Sequence, residues 1–174
     1  MATPLAKLVS RLDLRIAAMN MLARREHGAR EMVHKLQRRF RSRGCTRELA
    51  SEVVDHLVSD GLLSDERYAV SLCRHWINRG YGYNRVKEAL RSSGVDESID
   101  TILMKSFEEP LDWFENATKA YRKKYKFQAL GGAQEDAKKE RSKRLRFLLN
   151  RGFDVSIACQ VVGQDRRHVS KNRE

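Results

Sequence analysis

Apolar residues recur along this chain at helical spacing and rarely alternate. Leu12, Ile16, Met19 and Ala23 follow i, i+4, i+7, i+11; Met32, Leu36 and Phe40 follow i, i+4, i+8, as do Leu49, Val53 and Leu57. Each set predicts one buried face of a helix. Glycines mark the ends of these runs, at Gly44, Gly61, Gly80 with Gly82, Gly94, the pair Gly131 and Gly132, Gly152 and Gly163, where a left-handed cap is needed. Thr46 is the expected N-cap of the third helix, and Ser64 with Asp65 the cap of the fourth.

A second triplet carries Tyr68, Leu72 and Trp76, then Val86 and Leu90, then Ile99, Ile102 and Leu103, with Asp96 as the expected cap of its last helix. Laying residues 25–32 over 79–86 aligns Arg25 with Arg79, Gly28 with Gly82, Met32 with Val86 and, beyond them, Leu36 with Leu90. The offset is constant at 54 (86 − 32) without a gap, the mark of an internal repeat. A third triplet begins near Pro110, a favoured first helical position, with Leu111, Phe114, Tyr121 and Tyr125 on one face. A linker over 127–134 follows. A helix over 136–151 then buries Leu145, Leu148 and Leu149, and a short last helix sets Ile157 beside Val161. The expected fold is all-α: three tandem three-helix repeats, over 12–63, 64–109 and 110–163, stacked into an elongated, curved body. An N-terminal segment (1–11) and a basic, frayed tail (164–174) flank them.

Length and composition agree with such an array: 174 residues, 41% hydrophobic, only two prolines, and a mean hydropathy of −0.64. Lys7, Arg11 and Asp13 interrupt the apolar N-terminus, which argues against a signal peptide or membrane span and for a cytoplasmic protein without a membrane partner. Cys45, Cys73 and Cys159 form no CxxC pair; Cys73 and Cys159 read as small core residues.

Charge then points to a polyanionic partner. The chain carries 35 Lys plus Arg against 23 Asp plus Glu, a net +12, and residues 110–174 hold 16 bases against 8 acids. Lys139, Lys143 and Arg146 fall at i, i+4, i+7, off the Leu145, Leu148 and Leu149 face, without balancing acids on the same stripe. Arg38, Arg39, Arg41 and Arg43 form a smaller cluster. A helix-turn-helix reader of duplex DNA fits poorly, because the third helices begin with Glu48 and Glu52, with Asp96, Glu97 and Asp100, and with Asp154, which repel phosphate.

Catalytic chemistry finds no footing. The five histidines make neither HExxH nor a zinc pattern. Glu31 and His34 give a single ExxH, read as solvent-facing, where a di-iron bundle needs two such motifs. Gly80-Tyr81-Gly82 lacks the third glycine and the preceding strand of a phosphate-cradling loop. No nucleophile, base and orienter come together. The expectation is a non-enzyme with no catalytic residue, metal or cofactor.

Four strings in order carry a family resemblance: Leu22-Ala-Arg-Arg-Glu-His27 with Glu31 and Leu36; Asp60-Gly-Leu-Leu-Ser-Asp-Glu-Arg-Tyr-Ala69; Arg79-Gly-Tyr-Gly82 with Arg85, Val86 and Leu90; and Arg146-Phe-Leu-Leu-Asn-Arg-Gly-Phe153. Over about residues 12 to 163 the chain resembles the bacterial RecX family. The resemblance implies a regulator that binds the RecA recombinase filament in its helical groove and lowers its recombinase, ATPase and co-protease activities in DNA repair and the SOS response. Where the family usually has Ser, Arg and Pro, this chain has Gly28, Trp76 and Tyr83. Candidate contacts to RecA or DNA are Arg24, Arg25, Arg79 and Arg85 from the first two repeats, and Lys139, Lys143, Arg144, Arg146 and Arg151 from the third. Gly61, Leu62, Leu63, Asp65 and Tyr68 read as the structural joint between repeats one and two. The expected partners are the RecA filament and single-stranded DNA, with duplex DNA a further candidate, and the expected state is a monomer. The alternative is a stand-alone, sequence-independent DNA-binding protein acting through the basic third repeat.

Overall fold

The computed structural model describes residues 8–95, 98–126 and 134–171, with side chains from residues 8 to 164 apart from 134 and 135. Among them every regular element is helical: α1 (Arg11–Leu22), α2 (Ala29–Phe40), α3 (Arg47–Ser59), α4 (Asp65–Asn78), α5 (Tyr83–Ser92), α6 (Ile99–Ser106), α7 (Trp113–Tyr125), α8 (Gln134–Asn150) and α9 (Val155–Lys171), plus a 3-10 turn at Arg41–Arg43. The all-α repeat fold is as expected. Residues matched by the offset of 54 take matching places: Met32 and Val86 are fully buried, as are Leu36 and, nearly so, Leu90. Gly44, Gly61, Gly80, Gly94 and Gly152 all have positive φ after a helix or turn.

By its contacts the chain divides into two compact units, residues 1–71 with 92–96, and 72–91 with 97–174. The first is organised around Leu14, Met32, Leu36, Val54, Leu57 and Leu63. Its α1 differs from expectation. Leu12, Ile16 and Met19 are exposed, and Leu14, Ala17 and Ala18 face the core. Both sets have helical spacing; Leu14, Ala17 and Ala18 are the set that packs into the core, and exposed ion pairs of Arg11 with Glu52 (2.7 Å) on α3 and of Arg15 with Asp60 (2.8 Å) at its end accompany that rotation. The two alanines let the helices approach closely.

Caps follow the sequence in part. The Thr46 hydroxyl accepts from the Leu49 amide, and the Ser64 hydroxyl from the Arg67 amide. Asp65 does something else: its carboxylate accepts the Ala29 amide at 2.8 Å. It thereby serves the start of α2, where Gly28 has no side chain to offer. A Cβ on Gly28 would lie 2.9 Å from the Tyr68 ring. Of the residues expected at the joint, Leu63 and Tyr68 are buried, and Gly61, Leu62 and Asp65 are exposed.

The second unit is built around Ala117, Tyr121, Leu148, Phe153, Ala158, Val161 and Val162. Asp112, rather than Pro110, starts α7, its carboxylate accepting from the Phe114 and Glu115 amides. Ser98 caps α6; Asp96 lies outside the described residues, as do Gly131, Gly132 and the linker up to residue 133. Leu149 is exposed, and α8 buries Arg144 with Leu148 instead. Cys73 is buried as expected, but Cys159 is exposed. Helix α9 passes through Gly163 and continues to Lys171, past the expected start of a frayed tail. A single mid-helix glycine costs only about 1 kcal/mol, which a continuing helix absorbs.

The tightest contact in this unit is backbone on backbone. The Gly82 amide donates to the Arg151 carbonyl (2.8 Å) and the Asn84 amide to the Gly152 carbonyl (3.0 Å). A Cβ at Gly82 would stand 2.5 Å from the Gly152 carbonyl carbon and the Phe153 nitrogen. Gly82→Ala should therefore destabilise the unit by about 3 kcal/mol through overpacking that no side chain can relieve. Chemical denaturation, with tyrosine and tryptophan emission as the probe, measures it.

Candidate partner-binding surfaces

The arginines and lysines of this chain sort into two populations. In the first unit, Glu31 gathers two cations, Arg25 at 2.6 Å and Lys35 at 2.9 Å, and the Nδ1 of buried His27 at 3.1 Å. Burial alone would push the Glu31 carboxyl up, but hydrogen bonds from Arg25, Lys35 and His27 outweigh it and hold the group down at about 2. Burial, reinforced by the charges of Arg25 and Lys35, lowers the His27 imidazole against the opposing pull of Glu31. Arg25 also donates to the Glu26 carbonyl, so this contact candidate is engaged within its own fold. Glu31 is thus a partly buried hub, while neighbouring His34 is exposed as expected. Arg24 is exposed.

In the second unit, cations interleave with aromatic rings. Arg85 lies 5.4 Å from the Trp76 ring and pairs with Glu88 at 2.7 Å. Trp76 meets Tyr81 edge to face at 4.7 Å. Arg151 sits 4.9 Å from both Tyr81 and Phe147 while donating to the Arg79 and Gly80 carbonyls at 2.8 and 2.9 Å. Lys124 stands 4.2 Å from Phe147. Such contacts stabilise a cation by about 0.5–2 kcal/mol each. This ladder escaped the sequence reading because its members are scattered over α4, α5, α7 and α8; the aromatic residues near Arg79 were its one local sign.

Two of the candidate contact residues are engaged within the fold. Arg144 is 3% exposed, its guanidinium bonded to Glu140 and to the Tyr121 hydroxyl and stacked 5.0 Å from Tyr125. Arg151 is spent on two carbonyls and two rings. Both serve the fold, Arg144 buried and Arg151 half-buried, where partners offset desolvation. Lys139, Lys143 and Arg146 do lie exposed along α8, with the Lys143 side chain 71% accessible. The stripe is not free of acid, since Glu140 reaches Lys143 at 3.5 Å, although Arg144 shares that carboxylate. Arg79 is exposed and, among the described residues, has no carboxylate partner, its guanidinium lying 3.5 Å from His75 Nε2. With Lys119, Lys123, Lys124 and Arg151 it lines a cleft of about 540 Å³ whose acids are Asp112, engaged as a helix cap, and Glu115, paired with Lys119.

Comparison with known proteins places this arrangement. The family profile described as RecX, second three-helix domain, matches residues 64–99. A regulatory protein RecX of Ectopseudomonas mendocina is 38% identical over 152 residues, 87% of this chain and 93% of its own. One of Pseudomonas entomophila is 35% identical over 162 residues, 92% of this chain and 97% of its own. The chain belongs to the RecX family. Solved RecX structures agree in fold: that from Lactobacillus salivarius superposes with a TM-score of 0.63 at 22% identity, covering 90% of this chain and 96% of that one. A second RecX structure gives 0.55 at 20% identity, over 87% and 72%. The matched domain contains α4 and α5, and so Trp76, Arg79, Tyr81, Gly82 and Arg85 of the ladder. Among the described residues no helix of this RecX protein is long and apolar enough to cross a membrane.

The Glu31 hub carries a pH signature. A carboxyl held below its unfolded value contributes stability that is complete above about pH 4.5 and is lost as the pH falls towards 2. Glu31→Gln should cost on the order of 2 kcal/mol at pH 7, and the gap to the parent protein should close between pH 4.5 and 2. Urea unfolding across that range checks it.

Proposed function

We propose that this RecX protein binds the RecA recombinase filament in its helical groove and lowers its recombinase, ATPase and co-protease activities, acting in DNA repair and the SOS response as a regulator without catalysis of its own. The observation that carries this reading is family membership across nearly the whole chain, with relatives named regulatory proteins. Physical support comes from the distribution of charge. A filament presents the same surfaces at every subunit, so several weak contacts spread over a protein that engages adjacent subunits add up to tight binding. Arg24, Arg79 and the α8 stripe are the accessible cations for such contacts, joined by Arg85 and Arg25 where their intramolecular pairs can exchange. Arg144 and Arg151 hold the scaffold that presents them.

A second reading rests on one observation, the exposed Lys139, Lys143 and Arg146 row on α8. It makes the chain a sequence-independent DNA-binding protein whose effect on RecA is competition for the lattice. Phosphate contacts of that kind give an affinity that falls steeply with salt.

One comparison separates the two. Substoichiometric protein is expected to slow the DNA-dependent ATPase of RecA. The Lys139→Glu, Lys143→Glu, Arg146→Glu variant, tested at matched DNA occupancy, should retain part of that inhibition because contacts from other surfaces survive. Unchanged turnover at equimolar protein removes the filament reading. Inhibition that tracks DNA occupancy alone, and vanishes with the stripe, establishes the second.

A further inference from the structure

The connector between α6 and α7 has opposite character on its two sides. Phe107 and Leu111 border the basic cleft lined by Arg79, Lys123 and Lys124, and they also border a second groove of about 450 Å³. That second groove has apolar walls from Leu103, Met104, Phe107, Leu111 and Trp113. Its charged members are Asp100, Glu108 and Glu109, with no lysine or arginine among its lining residues. On a chain of net charge +12 this is a local inversion of sign. Met104 is 80% exposed, the most accessible large apolar side chain among the described residues, and large apolar side chains left in the open beside a shaped cavity mark binding surfaces.

The walls are held in place. Tyr83 meets the Trp113 ring edge to face at 5.8 Å, and its hydroxyl donates to Asp100 at 3.4 Å. Trp113 itself opens α7, behind the Asp112 cap. Glu108 and Glu109 are exposed in the connector.

We propose that this groove docks a cationic segment of a protein partner, one large apolar side chain seated between Met104, Phe107 and Trp113 with flanking lysine or arginine on Glu108, Glu109 and Asp100. Charge selects the class of occupant. Nucleic-acid phosphate is repelled by three carboxylates, and a neutral apolar ligand leaves the acids unused. A basic peptide with an apolar anchor satisfies both halves of the groove. The inference goes beyond the RecA reading and does not rest on it, since the groove assigns a chemistry and not a name.

The test uses the full chain and a tryptophan-free peptide, Lys-Leu-Lys-Phe-Lys-Leu-Lys, labelled at its terminus and followed by fluorescence anisotropy. The parent protein should bind it despite their like net charges. Glu108→Lys with Glu109→Lys, and separately Met104→Lys, should each weaken binding at least tenfold; these residues are exposed, so the fold is retained. Replacing the peptide's phenylalanine with serine should weaken it similarly, whereas the charge-reversed α8 stripe should not. Absence of binding, equal binding by the Glu108 and Glu109 variant, or indifference to the phenylalanine overturns the proposal. No arm contains RecA, so failure here leaves the filament reading standing, and failure of the ATPase test leaves this one standing.

Discussion

Much of the second unit depends on one contact: the turn before α5 and the turn after α8 meet with no side chain between them. The Gly82 amide donates to the Arg151 carbonyl and the Asn84 amide to the Gly152 carbonyl, with Gly82 so close to Gly152 that a Cβ is excluded, and Arg151 closes the joint by donating to the two carbonyls that follow α4. Van der Waals repulsion is steep, so this approach fixes where α8 lies against α5 within narrow limits. The face of α8 that carries Lys139, Lys143 and Arg146 is outward because Arg144 and Leu148 are committed inward.

The positive charge of the chain is therefore divided by environment. A guanidinium removed from water must regain its solvation through carboxylates, carbonyls or aromatic faces. Arg144 regains it from Glu140, Tyr121 and Tyr125, and Arg151 from two carbonyls and two rings. Cations that keep their water remain available to a partner. Composition counts both kinds alike, so a net charge overstates the surface available for binding. The acidic, apolar groove beside α6 makes the complementary point, being invisible in a sum dominated by lysine and arginine.

The repeat and its helices were legible in the sequence because they rest on local signals: apolar spacing, Thr46 and Ser64 as caps, and glycines at helix ends. Exact faces were less so. On α1, two interleaved sets satisfy the same periodicity, and packing against core residues of α2 and α3, distant in sequence, decides between them. Asp65 was visible as a capping residue, but the helix it caps is set by tertiary packing. The sequence does not mark which basic residues near a family string also serve the fold, as Arg144 and Arg151 do. No local pattern separates a structural arginine from a binding one when its partners lie 23 or 72 residues off in sequence.

For the filament itself, sites on several helices matter only if one molecule can present them to neighbouring subunits together. Electron cryomicroscopy of RecA on single-stranded DNA, decorated with this protein, tests that most directly. The expected map has density running in the helical groove, with the outward face of α8 against the filament. Density confined to filament ends, or a groove-bound molecule with α8 turned to solvent, would contradict it.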